Sequence, residues 1–197
     1  MITVKTENEI HEMKKAGKIL AKFLLAVQAL IRPGVTPLEV DAFAEQKIQE
    51  EGGIPAFKGY RGYQYATCIS VNEQVVHGIP NGRPFAMGDI VGVDVGAIVN
   101  GYYADAARTF GVGTISEEAK KLTETTREAL DLGIEEVRHG AKVGDISHAI
   151  QKHAESRGYA VVRDLFGHGI GTALHEEPLI PNVGDPHQGV TLKAGMV

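Results

Sequence analysis

The chain has 197 residues, a formal net charge of -5, 43% hydrophobic residues and 23% charged residues, a composition typical of a globular protein. This charge gives no basic surface for nucleic acid, and the longest apolar run near the start, residues 23–27, is far too short to cross a bilayer. The single cysteine, Cys68, cannot form an internal disulfide, and the first residues lack the apolar segment of a signal peptide. We therefore expect a cytoplasmic protein with neither a membrane nor a direct nucleic-acid partner.

Two pairs of helices are predicted along the chain. Thr6 with Glu9, and Thr36 with Glu39, form capping-box patterns, and Pro37 suits the first turn of the second helix. Apolar residues then recur at helical spacing until glycine or proline interrupts them. The predicted helices span residues 7–32, 37–51, 117–138 and 145–156.

The second helix pair repeats the order and spacing of the first. Aligning residues 31–34 (IRPG) with residues 137–140 (VRHG) gives an offset of 106, and aligning residues 85–88 (FAMG) with residues 192–195 (LKAG) gives 107. Because the offset is nearly constant across helices and a following strand, duplication is a better explanation than the general likeness of amphipathic helices. We predict one domain built from two halves, about 1–110 and about 115–197.

Asp94 and Asp105 flank the turn Asn100-Gly101, and Asn-Gly between apolar runs is the strongest short-range signal for a two-residue hairpin loop. The hairpin pairs Asp94 with Ala107 and places Asp105 diagonally on the same face, roughly 7–8 Å away, which leaves room for two metal ions. The two aspartates could also simply face solvent. However, both flanking stretches are typical of interior strands, where an unpaired carboxylate costs several kcal/mol. A cation is therefore the expected partner.

Three histidines lie in glycine-rich or proline-containing turns: His77 before Gly78, His168 within residues 167–171 (GHGIG), and His175 before Glu176. Flanking glycines let the backbone approach a ligand closely and direct an imidazole towards it. Imidazole both ligates divalent metals and donates a hydrogen bond to a developing oxyanion. Both roles are open for each of the three.

Other metal and nucleotide motifs fail on spacing. The GHGIG segment is not G-x-G-x-x-G, which argues against dinucleotide binding. A zincin helix needs a second histidine four residues after the first, but Leu179 and Lys15 stand at those positions after His175 and His11.

Six segments, taken together and in order, closely resemble type I methionine aminopeptidases of the bacterial type, and the similarity covers nearly the whole chain. They are residues 66–73 (ATCISVNE), 77–80 (HGIP), 94–96 (DVG), 105–109 (DAART), 167–171 (GHGIG) and 175–178 (HEEP). The resemblance implies an α/β (α+β) pita-bread fold, a pseudo-twofold repeat in which helices cover a curved antiparallel sheet. Proline-directed aminopeptidases share this fold and would share several of these residues.

The resemblance implies a site for two divalent metal ions. Asp94 and Asp105 would ligate or bridge the ions, and His168 would complete the shell of one of them. The ions would lower the pKa of a bridging water and polarise the scissile carbonyl. Carboxylate and imidazole ligands accept Co, Mn, Fe or Zn, so the sequence leaves the metal open.

Substrate-binding roles also follow from the resemblance. His77 and His175 would hydrogen-bond the substrate carbonyl and the leaving nitrogen as charge develops. Cys68, Tyr60 and Tyr63 would line a pocket for the methionine side chain, because sulfur and aromatic groups suit a thioether. The alternative for these last three is a place in the buried core.

The expected activity is therefore removal of the initiator methionine from nascent chains and N-terminal methionine peptides, with transient ribosome contact. A non-catalytic peptide- or protein-binding module of the same fold is the alternative, as is a proline-directed aminopeptidase. Family members continue beyond the position of Val197 into strands with two further metal-ligating glutamates, one of which also acts as general base. The resemblance thus implies weak metal binding and slow turnover by these 197 residues alone.

Overall fold

The computed structural model describes residues 2–197, which form four α-helices and six β-strands. The helices are α1 (Glu7–Ala26), α2 (Pro37–Glu50), α3 (Glu117–Glu135) and α4 (Val143–Ser156). The strands are β1 (Ile54–Pro55), β2 (Thr67–Val71), β3 (Ile90–Val99), β4 (Tyr102–Gly111), β5 (Phe166–Gly169) and β6 (Glu176–Pro181). Short 3₁₀ turns lie at Val27–Leu30 and Tyr60–Gly62. No helix within residues 2–197 is long and apolar enough to cross a membrane.

These residues divide into two compact units. The N-terminal unit comprises Asn8–Ser116 together with Thr172–Leu174, and the C-terminal unit comprises the residues up to Glu7, Glu117–Gly171 and His175–Val197.

The helices of the N-terminal unit begin and pack as their sequence patterns predict. Thr36 and Glu39 form a complete capping box: the Thr36 amide donates to the Glu39 carboxylate at 2.8 Å, and the Glu39 amide donates to the Thr36 hydroxyl at 3.3 Å. Along α1, the buried residues Leu20 and Phe23 recur at helical spacing and belong to the main hydrophobic core.

The sheet of this unit is antiparallel and centred on β3. Strand β4 pairs with β3 over the full length of both strands, while β2 and the short β1 pair with other segments of β3. Because side chains alternate along a strand, Val91, Val93 and Val95 point together into the helical core, where they are fully buried. Asp94 therefore lies on the opposite face of the sheet.

The C-terminal unit contains a helix pair and a two-stranded antiparallel sheet. Helix α3 packs against α4 through small residues, and a side chain added at Gly133 would contact Ile150 at 3.0 Å. Strands β5 and β6 pair from Phe166 with Pro181 to Gly169 with Glu176, with a register shift between His168 and Gly169. A small hydrophobic core, which includes Ala141, Val143, Ile146 and Leu192, completes the unit.

Three helix boundaries differ by two residues or more from those predicted. The first α-helix ends at Ala26 and continues only as a 3₁₀ turn, and α3 ends at Glu135 rather than near Arg138. Helix α4 begins two residues earlier than predicted, at Val143, because Asp145 occupies the third helical position and accepts a hydrogen bond from the Lys142 amide at 2.7 Å. A carboxylate at this position satisfies an amide at the helix start, so it marks the first turn rather than the cap.

Candidate metal centre and active-site residues

The hairpin that carries the two aspartates has the predicted turn and register. Asn100 and Gly101 have φ values of 50° and 82°, the left-handed conformation that a type I′ hairpin turn requires at both positions. Asp94 pairs with Ala107, and Asp105 pairs with Gly96. The two carboxylates are therefore diagonal neighbours on one face of the sheet.

Gly96 allows Ala56 and Phe57 to pack closely against β3 on the face that carries Asp94 and Asp105. A Cβ at this position would lie 2.7 Å from Cε1 of Phe57 and 2.8 Å from Cβ of Ala56, so only glycine leaves room for these two residues. Because Gly96 is the cross-strand partner of Asp105, the close packing of Phe57 lies directly beside the carboxylate pair.

The burial expected for the aspartates is wrong in part. Asp94 is half-buried in the central strand, but Asp105 is exposed on β4, where the alanine-rich sequence had indicated an interior strand. Among residues 2–197, β4 pairs only with β3, so it forms an edge of the sheet. Small residues at an edge cover little of a neighbouring side chain, which leaves Asp105 accessible.

Burial, followed by the negative charge of Asp105, raises the pKa of Asp94 well above its ordinary value. Two carboxylates this close resist ionising together unless a cation lies between them. The pair consequently has the donor chemistry of a divalent-cation site, with hard oxygen ligands on a rigid hairpin.

Cys68 and Tyr63 lie beside the aspartates. Cys68 on β2 pairs directly with Asp94 and is 8% exposed, and its thiol lies within hydrogen-bonding reach of the Tyr63 hydroxyl. Burial, with further contributions from Asp94 and Asp105, raises the pKa of the Cys68 thiol. Burial and the neighbouring thiol likewise raise the pKa of Tyr63. Both groups are therefore neutral at neutral pH and present a sulfur and an aromatic ring next to the carboxylates.

A buried carboxylate that the sequence analysis did not predict, Asp41, supports the segment that carries Tyr63 and Cys68. Asp41 on α2 accepts hydrogen bonds from the Thr67 amide at 2.8 Å and from the Thr67 hydroxyl at 2.7 Å. The Thr67 carbonyl in turn accepts a hydrogen bond from the Tyr63 hydroxyl at 2.8 Å. Asp41 thus fixes the start of β2, but no local pattern distinguishes it from the other acidic residues of that helix.

Tyr60 lies at the start of the 3₁₀ turn Tyr60–Gly62, three residues before Tyr63. The Arg61 guanidinium lies 5.4 Å from the centre of its ring. Tyr63 itself packs edge-on against Tyr65, with the ring centres 5.7 Å apart. Neither tyrosine is buried in the hydrophobic core, which removes the core alternative for both; Cys68 is buried.

His77 is exposed and its backbone lies in the left-handed region, with φ of 58°. Such a conformation is uncommon for a residue other than glycine and persists where neighbouring contacts enforce it. Gly78 supplies those contacts: its carbonyl accepts from the Ile69 amide at 2.8 Å, and its amide donates to the Ser70 hydroxyl at 3.1 Å. A Cβ on Gly78 would lie 2.1 Å from the Ile69 carbonyl oxygen, so glycine is required for the loop to reach β2.

His168 and His175 lie together in the C-terminal unit. Their ring centres are 4.3 Å apart at an angle of 48°, and Nδ1 of His168 lies 2.9 Å from the Gly169 carbonyl oxygen. A hydrogen bond at Nδ1 leaves Nε2 of His168 as the nitrogen available to a metal.

A buried ion pair that the sequence did not predict lies beside these histidines. The Lys5 ammonium lies 2.8 Å from the Glu176 carboxylate, and the two side chains are 3% and 13% exposed. Glu176 directly follows His175. Glu176 belongs to the HEEP segment noted in the sequence, but nothing near the N-terminus indicated its partner.

Of the three predicted metal ligands, Asp94 and Asp105 lie in the N-terminal unit, and His168 lies in the C-terminal unit beside His175. Within residues 2–197, no group of three or more His, Cys, Asp or Glu residues is arranged to hold a metal ion. A cavity of about 480 Å³ in the C-terminal unit is lined by residues of α3 and α4, and it contains none of the eight predicted site residues.

Residues 11–197 match the sequence model of metallopeptidase family M24. The chain belongs to this family. It is 50% identical over 197 residues to the methionine aminopeptidase of Clostridium perfringens, covering 100% of this chain and 79% of that relative. The crystal structure of the methionine aminopeptidase from Thermotoga maritima superposes with a TM-score of 0.98 at 50% identity, over 100% of this chain and 79% of the other.

A more distant M24 structure has the same fold. The prolidase of Pyrococcus furiosus matches with a TM-score of 0.83 at 26% identity, over 98% of this chain and 55% of the prolidase chain. These matches confirm the resemblance to bacterial methionine aminopeptidases and the pita-bread fold. Membership of a metallopeptidase family also confirms that divalent metal is the cofactor class for this M24 chain.

Proposed function

We propose that this M24 protein is a metal-dependent aminopeptidase that removes the N-terminal methionine from peptides and nascent proteins. The observation that carries the proposal is the pair Asp94 and Asp105 on one hairpin face, in a chain that is 50% identical to a methionine aminopeptidase. A pure binding module would gain nothing from two adjacent carboxylates when burial and their mutual repulsion raise the pKa of Asp94.

Two divalent ions are the proposed cofactor, with Asp94 and Asp105 as carboxylate ligands. The raised pKa of Asp94 supports this assignment, because a cation relieves both the burial of the carboxylate and its repulsion by Asp105. We assign His168 to the shell of one ion through Nε2, since its Nδ1 lies against the Gly169 carbonyl. The ions would be Mn, Fe, Co or Zn and, when bound, would polarise the scissile carbonyl and acidify a water molecule.

His77 and His175 are the proposed hydrogen-bond donors to the substrate. Both are exposed imidazoles held by constrained backbone, His77 by its left-handed conformation and His175 by the adjoining Glu176. A donor placed where charge develops lowers the barrier more than it strengthens substrate binding, so both residues should act mainly on kcat.

Cys68, Tyr63 and Tyr60 are the proposed wall of the methionine pocket. The neutral thiol of Cys68 is the cross-strand neighbour of Asp94, so a thioether at this wall would lie close to the proposed metal ligands. Sulfur and aromatic contacts favour a flexible thioether over a branched aliphatic chain of similar size.

The proposed setting of this activity is the cytoplasm, where the substrates would be nascent chains met through transient contact with the ribosome. Free N-terminal methionine peptides would be substrates as well.

Prolidase-like activity is the second candidate, favoured by the superposition on the prolidase fold at a TM-score of 0.83. The two activities differ in what precedes and follows the scissile bond. One requires methionine at the N-terminus, and the other requires proline after the bond. A single assay can therefore compare them.

The test is release of the first residue from the peptide Met-Ala-Ser and from the dipeptide Ala-Pro, with added Mn²⁺ or Co²⁺. Methionine release that is lost in Asp105→Ala supports the proposal. Preferential cleavage of Ala-Pro would instead assign the protein to the proline-directed branch. A folded protein that binds metal but cleaves neither substrate would leave peptide binding as its function and refute the proposal.

A further inference from the structure

The C-terminal unit contains a buried ion pair that no part of the proposed chemistry uses. The Lys5 ammonium contacts Oε2 of Glu176 at 2.8 Å, with a second contact to the Thr3 carbonyl at 3.3 Å. Removing two charges from water costs several kcal/mol per ion, and a well-packed apolar pair often gives equal stability. Stability alone therefore does not explain an ion pair at this position.

The Lys5 end of the pair is fixed by the main chain. The Lys5 amide donates to the Gly195 carbonyl at 2.7 Å, and a Cβ on Gly195 would come within 2.7 Å of both the Lys5 carbonyl oxygen and a Val4 methyl group. The backbone of Lys5 is consequently held in one place. Its ammonium acts as a fixed anchor rather than a mobile surface charge.

The Glu176 end lies within the segment that carries His168 and His175. Glu176 follows His175 in the chain and pairs across β5 and β6 with Gly169, which follows His168. The register shift between His168 and Gly169 interrupts the ladder there, so ladder hydrogen bonds alone do not fix this segment.

Gly171 provides the space in which the pair meets. A Cβ on Gly171 would lie 2.6 Å from Oε1 of Glu176 and 2.7 Å from Cε of Lys5. The three atoms nearest to this Cβ all belong to the Lys5 and Glu176 side chains, so a methyl group would displace the ion pair first. The last glycine of the GHGIG segment therefore has a specific role, which is to accommodate Lys5 and Glu176.

We propose that Lys5 is a positioning residue: its ammonium fixes Glu176 and thereby holds the imidazole of His175 in place against His168. The expected effect on kcat rests on the proposed function, whereas the expected effect on the position of the His175 ring does not. Lys5 touches neither substrate nor metal in this account. It acts only through the geometry of the segment that follows Gly171.

Two variants test the proposal, with one matched control for each. Lys5→Met removes the ammonium, and Gly171→Ala displaces the pair while keeping both charges. Lys58→Met removes the ammonium of the exposed Lys58–Glu45 pair, and Gly17→Ala adds a methyl group where nothing lies within 4 Å. The measurements are the imidazole ¹H–¹⁵N NMR signals of His168 and His175 in metal-free protein, and kcat and KM for Met-Ala-Ser with saturating Mn²⁺.

Lys5→Met and Gly171→Ala should both shift the two ring signals and lower kcat by about 10-fold or more, with KM changed by less than about 3-fold. Both controls should match the original protein. If Lys5→Met does not fold, Gly171→Ala decides the question.

Unchanged ring signals in a folded Lys5→Met or Gly171→Ala variant would overturn the proposal. So would a loss of kcat that is fully explained by the unfolded fraction measured by circular dichroism. If the original protein releases no methionine, the proposed function fails, but the ring signals still test the positioning role independently.

Discussion

The β3–β4 hairpin holds Asp94 and Asp105 in an unbroken ladder of ten residue pairs, whereas the β5–β6 pair has four and shifts register beside His168. Regular backbone pairing thus places both aspartates, Asp94 between β2 and β4 and Asp105 against β3. His77 and His175 lie in loops and are placed by isolated contacts, the Lys5–Glu176 pair beside His175 and the approach of Gly78 to β2 beside His77. Substitution of a ligand on the regular ladder should not lower the stability of the fold. Substitution of a residue that makes one of the isolated contacts should lower it.

The largest expected effect is the loss of activity on substitution of Asp105 in the β3–β4 hairpin. Asp105→Asn should lower kcat/KM for Met-Ala-Ser by more than about 100-fold, because loss of a metal ligand exceeds the effect of losing its outer hydrogen bonds. The melting temperature of the metal-free protein should not fall, since the side chain is exposed and its charge repels that of Asp94. The matched control is Asp131→Asn on the exposed surface of α3, which should be fully active. A large loss of stability in Asp105→Asn would show that the ladder does not hold the hairpin by itself.

The next effect concerns metal binding. Mn²⁺ at about 100 times its Kd should stabilise the protein by about 2.7 kcal/mol, which corresponds to a rise in Tm of roughly 5–10 °C for a chain of this size. EDTA should reverse the rise, and Asp94→Asn should abolish it. An equal rise in Asp94→Asn, measured by differential scanning fluorimetry, would place the metal elsewhere.

Gly78→Ala tests positioning by an isolated contact, in this case the contact of the His77 loop with β2. Its Cβ would lie 2.1 Å from a backbone oxygen of Ile69, so the loop that carries His77 has to move away from β2. We expect a loss of about 1–3 kcal/mol in the free energy of unfolding, together with a lower kcat. Gly82→Ala is the control, since nothing lies within 4 Å of the added methyl group. Urea unfolding of both variants gives the comparison, and equal stabilities would contradict the close approach.

The smallest effect is the pH dependence of the metal-free protein. The pKa of Asp94 is raised in the folded state, so the folded protein retains a proton that the unfolded chain has already released. The contribution of Asp94 to stability should therefore be most favourable below the ordinary aspartate pKa near 4 and should fall as pH rises towards the higher folded pKa. Asp94→Asn should remove this fall and gain about 1 kcal/mol or more at pH 8. A parallel pH profile for the two proteins in EDTA would show that Asp94 carries no unfavourable charge.

The sequence predicted those parts of the site that depend on neighbours close in the chain. Asn100-Gly101 was sufficient to pair Asp94 with Ala107, and Thr36 with Glu39 was sufficient to start α2. The burial of Asp105 was predicted wrongly, because the composition of a strand does not reveal whether another strand covers it. The Lys5–Glu176 and Asp41–Thr67 contacts were not predicted at all, since each joins residues that no local pattern connects.

The Lys5–Glu176 contact should form later than the β3–β4 hairpin when the chain folds. Its two residues are 171 positions apart, whereas the hairpin closes around a two-residue turn. Short loops close fast and long ones slowly, and a chain made from its N-terminus acquires Lys5 well before Glu176. The Lys5 ammonium thus cannot meet its carboxylate partner until Glu176 has been synthesised. Asp94 and Asp105 can reach their final register before the segment that carries His175 is fixed by the Lys5–Glu176 contact.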